Sequence, residues 1–219
     1  MRRGDPSVDE LHRTWFARPT AEVARDLVGC MIVVDRGTRD AVGARIVETE
    51  AYLGLDDAAS HAARGRTPRS AVMFGPPAHL YVYFTYGMHH CANVVAEIDG
   101  VAGAVLLRAA AVEEGLATVR LRRGLGIATA ALLRGPGNLC RGLGITRDED
   151  GIDLLDAGVR VHIEPATGRP PIEVSTRVGI RRAADRLLRF SWRGDPAVSR
   201  PVPGARASTL RADRKKGPD

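Results

Sequence analysis

A chain of 219 residues with 44% hydrophobic and 26% charged side chains holds enough apolar material for one well-cored domain and is too short for two of ordinary size. A net charge of +6 and a sequence pI of about 9.8 point to an anionic partner, nucleic acid or an acidic membrane surface, although all cations but Lys215 and Lys216 are arginines, a pattern that coding bias also produces. Cys30, Cys91 and Cys140 are too scattered for a disulfide framework or a CxxC metal site, and no apolar run approaches the roughly 18 residues of a membrane span, so a cytoplasmic protein is expected.

Pro19-Thr20 opens a predicted helix over 21–28, with Thr20 as N-cap, Glu22 in the first turn and Gly29 as the stop. A buried strand over 30–34 follows, then a turn through Asp35-Arg36-Gly37-Thr38 and a second strand over 44–52. Residues 53–78, rich in Gly, Pro, Arg and Ala, read as a long loop. Strands over 80–84 and 92–96 flank Tyr86-Gly87, the turn chemistry of a β-hairpin. A strand over 103–108, a helix over 113–123, a short helix over 139–143 behind a Gly-Pro-Gly turn, and extended segments over 159–163 and 188–192 complete the pattern. Strands outnumber helices and do not alternate with them, which predicts an α+β class: a single mixed domain with a mainly antiparallel β-sheet and a protruding hairpin. The domain is expected over 1–206, and residues 207–219, which carry little to bury, as a disordered basic tail.

In the strand over 44–52 a period of two puts Ile46, Glu48, Glu50 and Tyr52 on one face, two carboxylates between an aliphatic and an aromatic group. A carboxylate there is either functional or part of a structural ion pair with one of the many arginines. All four tyrosines, Tyr52, Tyr81, Tyr83 and Tyr86, fall in one third of the chain. Tyr86, in the turn, reads either as an aromatic folded back on the core or as a wedge pushed between stacked bases. His61 reads as a polar loop histidine, and His89-His90-Cys91 lacks the ligand spacing of a metal site, so no metal is expected. Arg108 ends an apolar strand, where it needs a carboxylate such as Glu50. Leu133-Arg134-Gly135-Pro136-Gly137-Asn138-Leu139-Cys140 leads into a helix whose free N–H groups suit a phosphate, although most such turns bind nothing.

The run Arg45-Ile46-Val47-Glu48-Thr49-Glu50-Ala51-Tyr52-Leu53-Gly54, followed by Met73-Phe74 and Leu80-Tyr81-Val82-Tyr83-Phe84-Thr85-Tyr86-Gly87-Met88, closely resembles the alkyladenine (3-methyladenine) DNA glycosylase family. The likeness continues through Asn93, Arg108, Gly135-Pro136-Gly137-Asn138-Leu139-Cys140, Arg177-Val178-Gly179 and Arg189-Phe190, over roughly residues 10 to 200. The resemblance implies a monofunctional glycosylase of base excision repair, monomeric, without a cofactor, acting at the nucleoid on double-stranded DNA that contains alkylated or deaminated purines. It makes Glu50 the general base for a water also held by Arg108 and the main-chain carbonyl of Val178. Tyr52, His61 and Tyr83 become the purine slot, Asn93 the residue that disfavours undamaged guanine, and Tyr86 the side chain that fills the gap left by a flipped nucleotide. Met88, Gly137 and Asn138 become contacts to the DNA backbone. Asn138 stands where the family usually has Lys, and His89 where an aromatic is more typical. A non-catalytic DNA-binding domain of the same fold, or a hydrolase directed at RNA or nucleotides, are the competing readings. Retention of Glu50 with Arg108 argues against the first, and a hairpin wedge against the second.

Overall fold

The computed structural model describes residues 11–200; the expected boundary at 206 and the tail from 207 lie outside them. Four helices and eight strands follow in the order α1 (Arg13–Phe16), α2 (Thr20–Asp26), β1 (Met31–Val34), β2 (Val42–Tyr52), β3 (Leu80–Thr85), β4 (His89–Val95), β5 (Ala104–Glu114), α3 (Leu116–Arg123), α4 (Pro136–Leu143), β6 (Val161–Glu164), β7 (Ile172–Ser175) and β8 (Arg189–Trp192). All the strands join one antiparallel sheet in the order β3-β4-β5-β2-β1-β6, with β8 pairing β2 and β7. The α+β reading holds.

The central strand β2 is shared. Its first half pairs β1, its second half pairs β8, and its other edge runs along β5. The register between β2 and β5 shifts three times, first between Gly43 and Ala44 and then twice around Glu48. Ile46 faces Ala110 and Glu48 faces Ala109, so β2 carries an extra residue there; Thr49 then faces Leu107, so β5 carries one at Arg108. Each bulge reverses which side chains reach which face. Ala44, Ile46 and Ala51 sit in the main core with Leu107, Ala110 and the helix residues Val23, Ala24 and Leu27, and the Thr49 hydroxyl donates to the Ala24 carbonyl at 2.6 Å. Val47 turns the other way, into a small cluster with Ala109 and Ala197. The alternation expected for β2 is therefore corrected: Glu48, Glu50 and Tyr52 share a face, and Ile46 belongs to the opposite one, because the bulge inserts a residue between them.

Other boundaries also differ from expectation: β4 begins at His89, α3 at Leu116 and α4 at Pro136. Pro19, not Thr20, is the N-cap of α2, and the Thr20 hydroxyl donates to Glu97 at 2.8 Å. β5 runs on to Glu114, because Ala109 and Ala110 are as buried as the residues before Arg108 and continue the ladder with β2. It stops at Gly115, whose φ of 73° opens α3 and where a Cβ would lie 2.2 Å from the Ala41 carbonyl, so only glycine fits. β7, short and half exposed, has too little apolar patterning to be read from the sequence.

Candidate active site

The reversed faces of β2 and β5 bring Glu48, Glu50, Tyr52, Leu106 and Arg108 to the side of the sheet away from α2. There the hairpin β3-β4, the loop over 53–78 and the segment around Val178 close a cavity of about 370 Å³. Its lining includes Tyr52, His61, Tyr83, Asn93, Arg108 and Val178, together with Tyr86 at the mouth.

Glu50 is fully buried at the inner end of this group. Its Oε1 accepts from the Val178 N–H at 2.7 Å and lies 3.4 Å from the Arg108 Nη1; its Oε2 accepts from the Tyr52 hydroxyl at 3.0 Å. Burial pushes the Glu50 carboxyl above the usual carboxylate range, and Arg108, the Val178 N–H and the Tyr52 hydroxyl oppose that push without cancelling it. The contact from Val178 to Glu50 is thus made by its N–H. Burial and the neighbouring Glu50 charge push the Tyr52 hydroxyl well up, so Tyr52 stays a neutral donor.

The segment carrying Val178 is fastened by charge. The Arg177 guanidinium is buried and forks onto Asp57, with Nη2 to Oδ1 at 2.8 Å, and also donates to the Ala51 carbonyl at 2.9 Å. It lies 4.7 Å from the centroid of Tyr52, a cation backing the ring. Asp57 in turn accepts from the N–H groups of Leu53 and Ala59, which shapes the start of the loop. Burial would raise the Asp57 carboxyl, but Arg177 and those N–H groups outweigh it and hold it below the usual aspartate value. Neither Arg177 nor Asp57 was given a role from the sequence; the signals were the doublet Asp56-Asp57 ahead of His61 and the place of Arg177 in the run Arg177-Val178-Gly179.

The other wall is aromatic. Tyr81 and Tyr83 alternate with Val82 along β3, and their ring centroids lie 5.4 Å apart. His61 meets Tyr83 edge-on at 4.6 Å, and its Nδ1 is 2.9 Å from the Tyr81 hydroxyl. Loss of water around the ring, then the nearby Arg69, lowers the His61 pKa to about 4 even though the residue as a whole is exposed. His61 is therefore neutral at physiological pH, and its ring resonances in an NMR titration are expected to stay constant between about pH 5.5 and 8, where an ordinary histidine protonates. A midpoint above about 6 would contradict this arrangement. Asn93 is buried, and its amide donates to the Tyr81 carbonyl at 3.0 Å.

At the hairpin tip Tyr86 adopts φ 51° and is 85% exposed, so the side chain is not folded back on the core; Met88 is also exposed. His89 lies over the start of α4, where a Cβ on Gly137 would come within 2.9 Å of its ring. The Asn138 amide bends back to the Arg134 carbonyl at 2.7 Å, which leaves the main-chain N–H groups as what the start of α4 offers outward. His90 and Cys91 follow on β4, with Cys91 paired across the ladder to Tyr83.

A carboxylate buried against a guanidinium at the floor of an aromatic slot suits an enzyme that activates water beside a bound ring. The profile of the family described as methylpurine-DNA glycosylase (MPG) matches residues 14–196. A protein of Mycolicibacterium fortuitum is 51% identical over 177 residues, 78% of this chain and 88% of its own length. One of Anaeromyxobacter dehalogenans is 48% identical over 207 residues, 91% and 90% of the two chains. One of Chlorobaculum tepidum is 44% identical over 196 residues, 89% and 92%. All three carry the name "Putative 3-methyladenine DNA glycosylase". The chain belongs to the methylpurine-DNA glycosylase family, enzymes that hydrolyse N-glycosyl bonds in DNA in base excision repair. No helix among the described residues is long and apolar enough to cross a membrane.

Proposed function

We propose that this protein is a monofunctional DNA-3-methyladenine glycosylase that extrudes alkylated or deaminated purines from duplex DNA and releases them by hydrolysis. The observation that carries the reading is Glu50, fully buried yet held by Arg108, the Val178 N–H and Tyr52 beside a cavity walled by aromatic rings.

Breaking an N-glycosyl bond builds positive charge on the sugar. Glu50 draws a proton from the attacking water and its negative charge faces the developing cation, general-base help worth typically ~10²–10⁴-fold. Arg108 favours the ionised form of Glu50 and, with the main-chain carbonyl of Val178, orients the water. The purine lies between Tyr52 on one side and His61 and Tyr83 on the other. Many alkylated purines are cations, which such rings favour by about 0.5–2 kcal/mol. Asn93, with its amide committed to the Tyr81 carbonyl, presents a fixed polar edge near the purine N2 position and disfavours undamaged guanine. Met88 and the N–H groups of Gly137 and Asn138 take the DNA backbone. No lysine occurs within residues 11–200 to form a Schiff base, so the abasic site is left uncut.

The test is incubation of the purified protein with duplexes that each carry one defined lesion, 3-methyladenine, 7-methylguanine, hypoxanthine or ethenoadenine, followed by alkali to reveal abasic sites. Release from none of them, or strand cleavage without alkali, sinks the reading. Tyr86→Ala tests the wedge. Filling the gap offsets an unstacking cost of a few kcal/mol, so duplex activity is expected to fall by roughly 10–100-fold while release from single-stranded substrate is unchanged. Equal activity on both substrates would remove Tyr86 from the mechanism.

A further inference from the structure

Glu48 is the second fully buried carboxylate on the reacting face of β2, and the mechanism above leaves it without a task. It is among the most heavily bonded groups in the protein. Its Oε1 accepts from the Arg108 Nε at 3.0 Å, the Arg189 Nε at 2.6 Å and the Ser199 hydroxyl at 2.9 Å; its Oε2 accepts from the Ser199 N–H at 2.6 Å. Arg108 also donates from Nη2 to the Ser199 hydroxyl at 3.2 Å. The Nε and Nη2 of Arg108 are thereby both committed to the Glu48 and Ser199 side, and Nη1, 3.4 Å from Glu50, is what remains for the cavity. A planar guanidinium fixed at two of its nitrogens has no freedom left for the third.

We infer that Glu48 is a positioning residue for catalysis, one that aims Arg108 at Glu50 and sets the charge balance around the general base. The inference rests on the proposed role of Glu50. The bulge in β5 turns Arg108 out of the ladder, so nothing in the strand itself fixes its side chain. Glu48 does that from β2, Arg189 from β8 supplies the second positive charge, and Ser199 closes the network from the C-terminal segment. Two carboxylates and two guanidiniums balance, so Glu50 has only part of one cation to itself. Tyr52 and the Val178 N–H complete its surroundings, with Arg177 beyond Tyr52. Removal of the Glu48 charge takes a like charge from beside Glu50 and releases the full charge of Arg108 to it, and both changes favour the ionised base.

The test compares Glu48→Gln, Glu48→Asp and Glu50→Gln by lesion-duplex affinity and by single-turnover base release across pH. In Glu48→Gln the acid limb of the rate profile is expected to move down by about one pH unit, a shift that loss of packing alone does not produce. The plateau rate is expected to fall roughly 10–100-fold with affinity within about threefold, since a misaimed group costs rate rather than binding. In Glu48→Asp the charge is kept but drawn back, so the limb stays in place and the rate falls about tenfold. This variant decides the matter if Glu48→Gln does not fold. In an Arg108→Lys background Glu48→Asp is expected to cost less than about twofold, because an effect carried by Arg108 vanishes with its fork. A wild-type rate in Glu48→Asp, or an undiminished loss in that background, overturns the inference while an inactive Glu50→Gln leaves the proposed mechanism standing. An active Glu50→Gln overturns the mechanism itself, whatever Glu48 does.

Discussion

Glu50→Gln is expected to lower the single-turnover rate of base release by about 10²–10⁴-fold while the affinity for lesion-containing duplex stays within a few-fold of the wild type. The amide has nearly the shape of the carboxylate. Its oxygen still accepts from the Val178 N–H, and its nitrogen can donate to the Tyr52 hydroxyl oxygen, so the cavity keeps its form. What disappears is the site that takes the proton of the water and the negative charge facing the sugar. The pH profile makes a second, independent test. Burial raises the Glu50 carboxyl, so the residue holds its proton to higher pH than an ordinary glutamate, and the rate should climb with pH through a midpoint above the usual carboxylate range. His61, neutral above about pH 4, adds nothing to that limb. A variant that keeps more than about a tenth of wild-type activity with the same acid limb would remove Glu50 as the base.

Arg177→Met is expected to destabilise the fold by about 3–5 kcal/mol, the cost of breaking a buried ion pair by removing one partner. It strands Asp57 in the interior without its counter-charge, removes the donor to the Ala51 carbonyl and takes the support from behind Tyr52. The dependence on pH should also change sign. In the wild type the Asp57 carboxyl is held below the ordinary aspartate value of 3.8, so its contribution is complete above that value and is lost as the pH falls through the lowered pKa. Without Arg177, burial dominates and raises the carboxyl above its unfolded value, so the variant should gain stability as the pH drops through that raised pKa. Urea unfolding at a series of pH values reads both effects, and Asp57→Asn added to Arg177→Met should recover part of the loss. Equal stability of the wild type and the single variant near neutral pH would show that this pair does not fasten the loop.

The fold class and most strands could be read from the sequence because runs such as Leu80-Tyr81-Val82-Tyr83-Phe84 and Leu188-Arg189-Phe190-Ser191-Trp192 carry β-forming side chains between turn residues. The limit was register. Val47 and Glu48 alternate as well as any pair in β2, so nothing local marks the extra residue that sends both to one face. The same holds for Arg108, which looked like the end of a strand because a cation interrupts an apolar run, yet the strand passes through it by bulging. The residues around Glu50 were legible through long motifs. Their mutual distances were not, since contacts such as Val178 to Glu50 join parts of the chain 128 residues apart. Asp57, Arg177, Arg189 and Ser199 had no assigned role for the same reason: each is an ordinary polar residue until the fold supplies its partner.

Three carboxylates, Glu48, Glu50 and Asp57, and three guanidiniums, Arg108, Arg177 and Arg189, lie together in the interior. In proteins where such groups only hold the structure, well-packed apolar replacements are often neutral or stabilising by 1–4 kcal/mol. Here robustness and turnover compete for the same six positions. Because removal of one partner alone is costly, only a design for heat resistance that replaced whole ion pairs together would reach leucine and methionine at these sites and deliver a sturdy, inert protein, whereas one that also demanded repair would have to find its gains elsewhere on the molecule.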